Sequence, residues 1–172
     1  MAEAIDSMLF ITFDDRTAAE AAYREAKELP GARQAAVLTR SDEGLLETPE
    51  SWVHGAGRPT VATGIVGGLL GLFAGPVGAL LGWSAGTVIG GAAELKQFQA
   101  GAEGLLVYSK DLAEGHAMLI VEVNEHDPAP ADRLAAAHGG RLLRRPASEV
   151  EAEVRAADTA AEEAARAERG EL

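Results

Sequence analysis

The stretch that decides the organisation of this chain is residues 61–93, VATGIVGGLLGLFAGPVGALLGWSAGTVIGGAA, which carries no charged side chain. Gly75 and Pro76 divide it near the middle. Proline lacks the amide N–H and clashes with the preceding helical turn, so this pair predicts a break between two helices. The pattern therefore predicts an apolar helical hairpin over residues 58–94.

Glycine recurs along both arms of this hairpin at spacings that keep it on one side of a helix. Interior glycine costs a helix roughly 1 kcal/mol relative to alanine, so repeated glycine favours a role in close helix-to-helix packing. The candidate packing residues are Gly64, Gly67, Gly68, Gly71, Gly75, Pro76, Gly78, Gly82, Gly86 and Gly90. The bulky side chains lie on other faces, where we expect lipid or neighbouring subunits; in the first arm they are Ile65, Val66, Leu69, Leu70, Leu72 and Phe73.

The length of the hairpin leaves its placement open. A membrane-spanning helix needs about 20 apolar residues, and each arm has about 17, which is the lower limit for crossing. The hairpin can span a thin bilayer twice, dip in from one side, or bundle with copies of itself in an oligomer. Burial in the core of a monomer is a fourth reading, and the small soluble remainder argues against it.

The rest of the chain predicts a soluble α+β domain in two halves, residues 1–57 and 95–147. The predicted strands are residues 8–13, 34–40, 45–48, 116–123 and 141–144, and the predicted helices are residues 17–29, 95–104 and 128–138. A strand–helix–strand unit on each side of the hairpin predicts a split ferredoxin-like sandwich.

Residues 148–172 are rich in alanine, glutamate and arginine, with a thin apolar stripe that includes Val150, Val154 and Ala157. A segment of this kind is typical of a solvated acidic helix or tail. The alternative is a helix that docks on a neighbouring subunit through the stripe.

Composition narrows the function. The net charge of -12 argues against binding nucleic acid and against polybasic attachment to anionic lipid. The sequence contains no cysteine, which excludes disulfides, cysteine-ligated zinc and thiol catalysis. The N-terminal residues lack the pattern of a secretory signal, so we expect the chain to start in the cytoplasm.

No catalytic, cofactor or metal site is predicted. His126, between Glu125 and Asp127, is the nearest approach to a metal site, and a solvated acidic loop explains it more simply. Asp14 and Asp15 fit helix capping better than cation binding. The sequence has neither a phosphate-binding loop nor a nucleophile elbow.

The chain resembles a bacterial family of uncharacterised predicted membrane proteins with a domain of unknown function. The matching features are Phe13-Asp14-Asp15 at the end of the first strand, the strand 37–40, the glycine-rich hairpin around Gly75-Pro76, a late strand ending near Val123, and Gly139-Gly140-Arg141. The resemblance extends to about residue 147. It implies a ferredoxin-like soluble part, a membrane hairpin and no known catalytic residues. The chain departs from the family at His138, where an apolar or aromatic residue is usual, and at residues 52–57.

Together these patterns predict a non-enzymatic homo-oligomer on the cytoplasmic side of the cell membrane. Its partners would be other copies of itself and the lipid bilayer, with the hairpins packed in or on that bilayer. One alternative is a soluble cytoplasmic cage or shell with the hairpins buried between subunits. Another is a small pore lined by Thr63, Ser84 and Thr87.

Overall fold

The computed structural model describes residues 3–41, 46–55, 64–74 and 112–170. These ranges contain the strands β1 Ile5–Phe13, β2 Ala32–Arg40, β3 Leu46–Val53, β4 Ala117–Glu125 and β5 Arg141–Pro146. They also contain the helices α1 Arg16–Ala26, α2 Gly64–Ala74, α3 Ala129–Ala137 and α4 Ala147–Glu168. The predicted helix 95–104 lies outside the described residues, as does part of the predicted hairpin, including Gly75, Pro76, Gly78, Gly82, Gly86 and Gly90.

The strands form one antiparallel sheet in the order β3-β2-β4-β1-β5. β4 lies between β1 and β2, with Leu9 opposite Val121 and Ala36 opposite Ile120. The second half of the chain is therefore interleaved with the first half. This arrangement confirms the predicted α+β class, and the strand order is compatible with a ferredoxin-like fold.

Local signals explain where α1 begins and ends. The Asp15 carboxylate accepts hydrogen bonds from the backbone N–H groups of Thr17 and Ala18, both at 3.2 Å, which confirms the predicted cap. The helix ends at Ala26, shortly before Gly31, which has φ +79°. A Cβ atom at Gly31 would lie 2.1 Å from the carbonyl oxygen of Asn124, so this turn requires glycine.

The sheet is covered by helices on both faces. α1 and α3 cover one face, where the buried strand residues include Leu9, Ile11, Ala35, Val37, Leu119 and Val121. α2 and α4 cover the other face, where they include Met8, Phe10, Ala36, Leu38, Met118 and Ile120. The central strands are thus apolar on both sides because each side faces a helical layer.

The inward face of α2 corrects one prediction. Val66 and Leu69 are fully buried and Leu72 is 1% exposed, and all three belong to the core cluster of the protein's own sheet. The expectation that these side chains face lipid or neighbouring subunits is therefore wrong. The physical reason is that the second sheet face is apolar and the stripe of α4 is too narrow to cover it, so α2 supplies the remaining cover.

The C-terminal segment corrects a second prediction. It forms the helix α4, whose Val150, Val154 and Ala157 are buried against the sheet and α2 of the same chain. The hypothesis that this stripe docks on a neighbouring subunit is wrong, because the stripe is already covered within the domain.

Some boundaries also differ from the sequence predictions. β3 runs to Val53 and passes through Pro49, which is tolerated because β3 is an edge strand. β5 extends to Pro146, and α1 ends three residues earlier than predicted, at Ala26. Among the helices of the described ranges, none combines the length and apolarity needed to cross a membrane.

Candidate functional site

The outward face of α2 carries glycine instead of side chains. At 3.6 residues per turn, Gly64, Gly67 and Gly71 lie on the side of the helix opposite to Val66 and Leu69. Gly64 and Gly71 are exposed and Gly67 is half-buried. A Cβ atom at Gly71 would meet nothing within 4 Å. The outer side of α2 therefore presents a strip of backbone at these glycines, and a Cβ atom at Gly71 would enter open space.

Gly64 has a second role, in the backbone conformation at the start of α2. Its φ of +61° lies in the left-handed region, which glycine enters without the penalty that a Cβ atom brings. A Cβ atom there would lie 3.7 Å from Nε2 of Gln34, which is ordinary contact. Substitution at Gly64 would thus disturb the helix start as well as the strip, which makes Gly71 the cleaner probe of the strip.

Gly68 lies on the flank of α2 that faces α4. A Cβ atom at Gly68 would lie only 2.5 Å from Cγ1 of Val154, closer than side chains can approach. The glycine therefore allows α2 and α4 to pack closely within one chain. The glycines of α2 thus lie on two sides of the helix, because Gly68 contacts α4 and Gly71 faces outward.

A groove with charged residues in its lining lies beside the start of α2. One part, of about 810 Å³, is lined by residues that include Asp6, Arg33, Ile65, Glu122 and Glu151. A neighbouring part, of about 430 Å³, shares Ile65, Glu122 and Glu151 and adds Gln34 and Asp158.

The floor of this groove is a hydrogen-bonded polar pair. Nε2 of Gln34 donates to Oε2 of Glu122 at 3.0 Å, and Nη1 of Arg33 lies 3.7 Å from the same carboxylate. Burial, with a smaller contribution from Glu162, raises the pKa of Asp158 at the other end of the groove. The sequence analysis missed this groove. Its one signal is that Gln34 and Glu122 interrupt a strand face that is otherwise apolar.

An ion-pair network joins β5 to β4 and α3. The Arg144 guanidinium donates to both oxygens of Glu125, at 2.7 and 3.2 Å, and to Asp132 at 2.9 Å. The Glu125 side chain is only 6% exposed. Hydrogen bonding to Glu125 raises the pKa of Arg144. Glu125 is thus committed to Arg144, a pairing that nothing in the local sequence indicates.

The other side chains considered for chemistry are dispersed. Asp127 accepts a hydrogen bond from the backbone N–H of Ala129 at the start of α3, while the neighbouring His126 is exposed. His138 Nε2 lies 3.0 Å from Oε1 of Glu25 but out of line for a hydrogen bond. His138 therefore places the end of α3 beside Glu25 of α1. Within the described part of the chain, no group of three histidine or carboxylate side chains is placed to hold a metal ion.

No family model matches this sequence, and no curated protein or solved structure shows significant similarity to it. The resemblance to the bacterial membrane-protein family therefore stays a prediction. The geometry of α2 is the basis for assigning a function.

Proposed function

We propose that this is a non-enzymatic, self-associating protein whose glycine-faced helices pack against those of other copies at the cytoplasmic surface of a membrane. The observation that carries the proposal is the outward strip of α2, where Gly67 and Gly71 follow Gly64. An exposed glycine in a helix costs roughly 1 kcal/mol relative to alanine. Close packing of another helix against these glycines would offset that cost, as it does in small-xxx-small contacts.

The sheet topology limits how the apolar insert meets a bilayer. Leu72, in the last turn of α2, and Leu112 are buried in the same core cluster, so the chain leaves and returns on one side of the domain. Beyond the end of α2, the longest uncharged run before Leu112 is residues 75–93, about 19 residues, which would be roughly 28 Å long if helical. That length suits one crossing, whereas returning to the same side requires two. The arithmetic favours a segment that dips into the bilayer or lies on it over a segment that spans it twice.

The finer description of the fold is part of the same proposal. The order β5-β1-β4-β2, with α1 and α3 on one face, supports a ferredoxin-like sandwich. α2 lies in the insert between β3 and β4 and covers the second face of the sheet. We propose that the insert is a helical hairpin whose first arm has become part of the core.

A soluble assembly is the second candidate. It is favoured by the burial of Val66, Leu69 and Leu72 in the domain itself, which leaves α2 few bulky side chains to offer to lipid. Glycine strips of different copies would then meet in the cytoplasm, without a bilayer. The pore alternative depends on Thr63, Ser84 and Thr87, which all lie outside the described residues.

The test is the variant Gly71→Leu, because a Cβ atom at Gly71 would meet nothing within 4 Å. We expect Gly71→Leu to dissociate the native oligomer while thermal unfolding stays unchanged. Ala156→Leu is the matched control, since it adds a leucine at an exposed position of α4. Gly82→Leu and Gly86→Leu extend the test to the glycines in the second arm of the predicted hairpin. The readout is size-exclusion chromatography with light scattering on both cytosolic and detergent-extracted fractions.

The outcomes separate the candidates. Loss of the oligomer in Gly71→Leu but not in Ala156→Leu supports self-association through the strip. A native oligomer that survives in Gly71→Leu, Gly82→Leu and Gly86→Leu overturns it. A wild-type protein that pellets with membranes supports the membrane form, and a monodisperse cytosolic particle supports the soluble form.

A further inference from the structure

β5 is an edge strand of the sheet, and in the described part of the chain it has a neighbouring strand on one side only. It pairs with β1 from Ser7 opposite Pro146 to Thr12 opposite Arg141, without a shift in register. The backbone N–H and C=O groups that point away from β1 therefore face no strand among the described residues. A row of such groups is recognised by another extended strand, which adds to the edge through the same hydrogen bonds.

The opposite edge of the sheet, β3, carries two features that hinder strand addition. Pro49 lies inside β3 and has no N–H to donate, and the pairing of β2 with β3 shifts register between Val37 and Thr39. Proline and bulges protect the edges of natural sheets in this way. β5 has neither feature within its length, because its one proline, Pro146, is its last residue. β5 is therefore the edge that is open to a further strand.

The arginines of β5 would hinder strand addition if they extended across the edge, but ion pairs hold them to the domain. Arg144 pairs with Glu125 at 2.7 Å, and Arg145 pairs with two carboxylates of α4. Arg141 pairs with Asp14, and both of these side chains are mostly exposed. The Arg141 side chain is 62% exposed, whereas those of Arg144 and Arg145 are 30% and 21% exposed. Arg141 is thus the arginine of β5 that is most accessible to a partner.

Leu143 gives the same edge an apolar contact point. It lies in the middle of β5 and is 47% exposed, and Ile5 is the other large apolar side chain exposed to this degree in the described ranges. Leu143 lies opposite Phe10 of β1, so its side chain is on the sheet face that α2 and α4 cover. Arg141, two residues earlier, is on the same face. A strand added to this edge would bring its own side chains beside both residues.

The charge pattern of β5 selects the kind of strand. Antiparallel pairing of two β5 strands around Leu143 would place Arg141 opposite Arg145 in both directions, and like charges directly opposite destabilise a strand pair. A different strand, with an aliphatic residue opposite Leu143 and an acidic residue two positions later, opposite Arg141, makes one apolar and one opposite-charge pair instead. We propose that the outer edge of β5 binds an extended peptide segment of this kind, antiparallel to β5.

The test uses the synthetic peptide Thr-Thr-Val-Thr-Glu-Thr, acetylated and amidated at its ends and added in millimolar excess to the full chain. Its valine is placed opposite Leu143 and its glutamate opposite Arg141. Hydrogen exchange followed by mass spectrometry should show slower exchange in β5 and no change in β3. Two further forms of the peptide carry N-methyl groups on alternate amides. Because successive N–H groups of a strand point to opposite sides, one form should lose binding and the other should keep it.

Variants of the chain test the two side-chain contacts, with affinity measured by the fluorescence anisotropy of a labelled peptide. Leu143→Lys should lower the affinity about threefold, because it replaces the apolar contact with a solvated charge at the edge. Ile5→Lys is the matched control, since it changes the other exposed aliphatic side chain outside β5 and should leave the affinity unchanged. Arg141→Ala should lower the affinity about twofold, and this loss should vanish for a peptide with glutamine in place of glutamate.

Three results would overturn the proposal. The first is unchanged exchange in β5 at millimolar peptide, and the second is equal binding by the two N-methylated forms. The third is a β5 that is protected without peptide and loses this protection on dilution, which would show that a second copy occupies the edge. Circular dichroism of each variant checks that the domain is folded. The Gly71→Leu variant should bind the peptide like the wild type, so failure of the proposed function leaves this proposal standing.

Discussion

α1 and α2 cover opposite faces of one sheet and differ most on the sides that face away from it. α1 presents Arg16, Glu20 and Arg24 outward, and Arg16 pairs with Glu20 at 3.2 Å. α2 presents Gly64, Gly67 and Gly71, and no residue of the helix is charged. Both helices bury an apolar face in the domain, so burial alone does not account for the difference. The outward side of α1 is suited to water, whereas that of α2 offers backbone at Gly64, Gly67 and Gly71.

The inward sides differ in the opposite sense. α1 buries mainly alanine, with Ala19, Ala22 and Ala26 around Tyr23. α2 buries Val66, Leu69 and Leu72, which are larger. A helix that has only backbone on its outer side thus places its large side chains against the sheet. Attachment of α2 to the domain therefore depends on these few side chains.

The largest effect is expected from removing one of them. Leu69→Ala should destabilise the domain by about 3 kcal/mol, because it removes a fully buried leucine and leaves a cavity. Urea unfolding followed by circular dichroism measures the change. Leu70→Ala is the matched control, since Leu70 is half-buried and should cost less. A midpoint for Leu69→Ala equal to that of the wild type would show that α2 does not contribute to the core in solution.

The sequence predicts the α1 layer better than the α2 layer for a physical reason. Asp15 and the stop near Gly31 act locally, so the ends of α1 can be approximated from neighbouring residues alone. What α2 packs against depends on the whole fold. A charge-free helix with one face of bulky apolar side chains can pack against lipid, another subunit or its own sheet. One signal was available in the strands: residues 8–11 and 118–121 are apolar without alternation, which requires cover on both faces.

In the candidate site, too, the sequence predicts the local features and not those that depend on long-range contacts. Spacing alone places Gly67 and Gly71 on one side of a helix, and the structure places them there. Spacing does not distinguish Gly68 from the outward glycines. Its partner is Val154, in a segment predicted to be a solvated acidic helix or tail. The groove around Glu122 and the Glu125–Arg144 pair also depend on long-range contacts. The sequence gives no local signal of the ion pair, and its one signal of the groove is that Gln34 and Glu122 interrupt an apolar strand face.

A second, smaller effect is expected in the layer of α1 and α3, where ion pairs of Arg144 join β5 to β4 and α3. Arg144→Ala should destabilise the domain by about 2 kcal/mol, since it leaves the buried Glu125 carboxylate without its partner. This figure is below that for a fully buried pair because the Arg144 side chain is 30% exposed. Arg141→Ala is the control: its pair with Asp14 is mostly exposed and should contribute about 0.5 kcal/mol or less. Equal urea midpoints for the two variants would contradict the assignment.

The smallest expected effect concerns Asp158, on the part of α4 that borders the groove beside α2. Burial raises the pKa of its carboxyl group above the ordinary value of 3.8. The folded state therefore holds this proton more tightly than the unfolded state, and its contribution to stability falls as pH rises through the interval above 3.8. Because the group is largely solvated, the contribution is at most a few tenths of a kcal/mol. Asp158→Asn should remove it, so the stability of the variant relative to wild type should rise as the pH increases from 3.8. Glu163→Gln, an exposed change of the same charge on the same helix, controls for net charge. Urea midpoints measured across this range decide the matter, and parallel curves for Asp158→Asn and wild type would show that α4 leaves Asp158 fully in solvent.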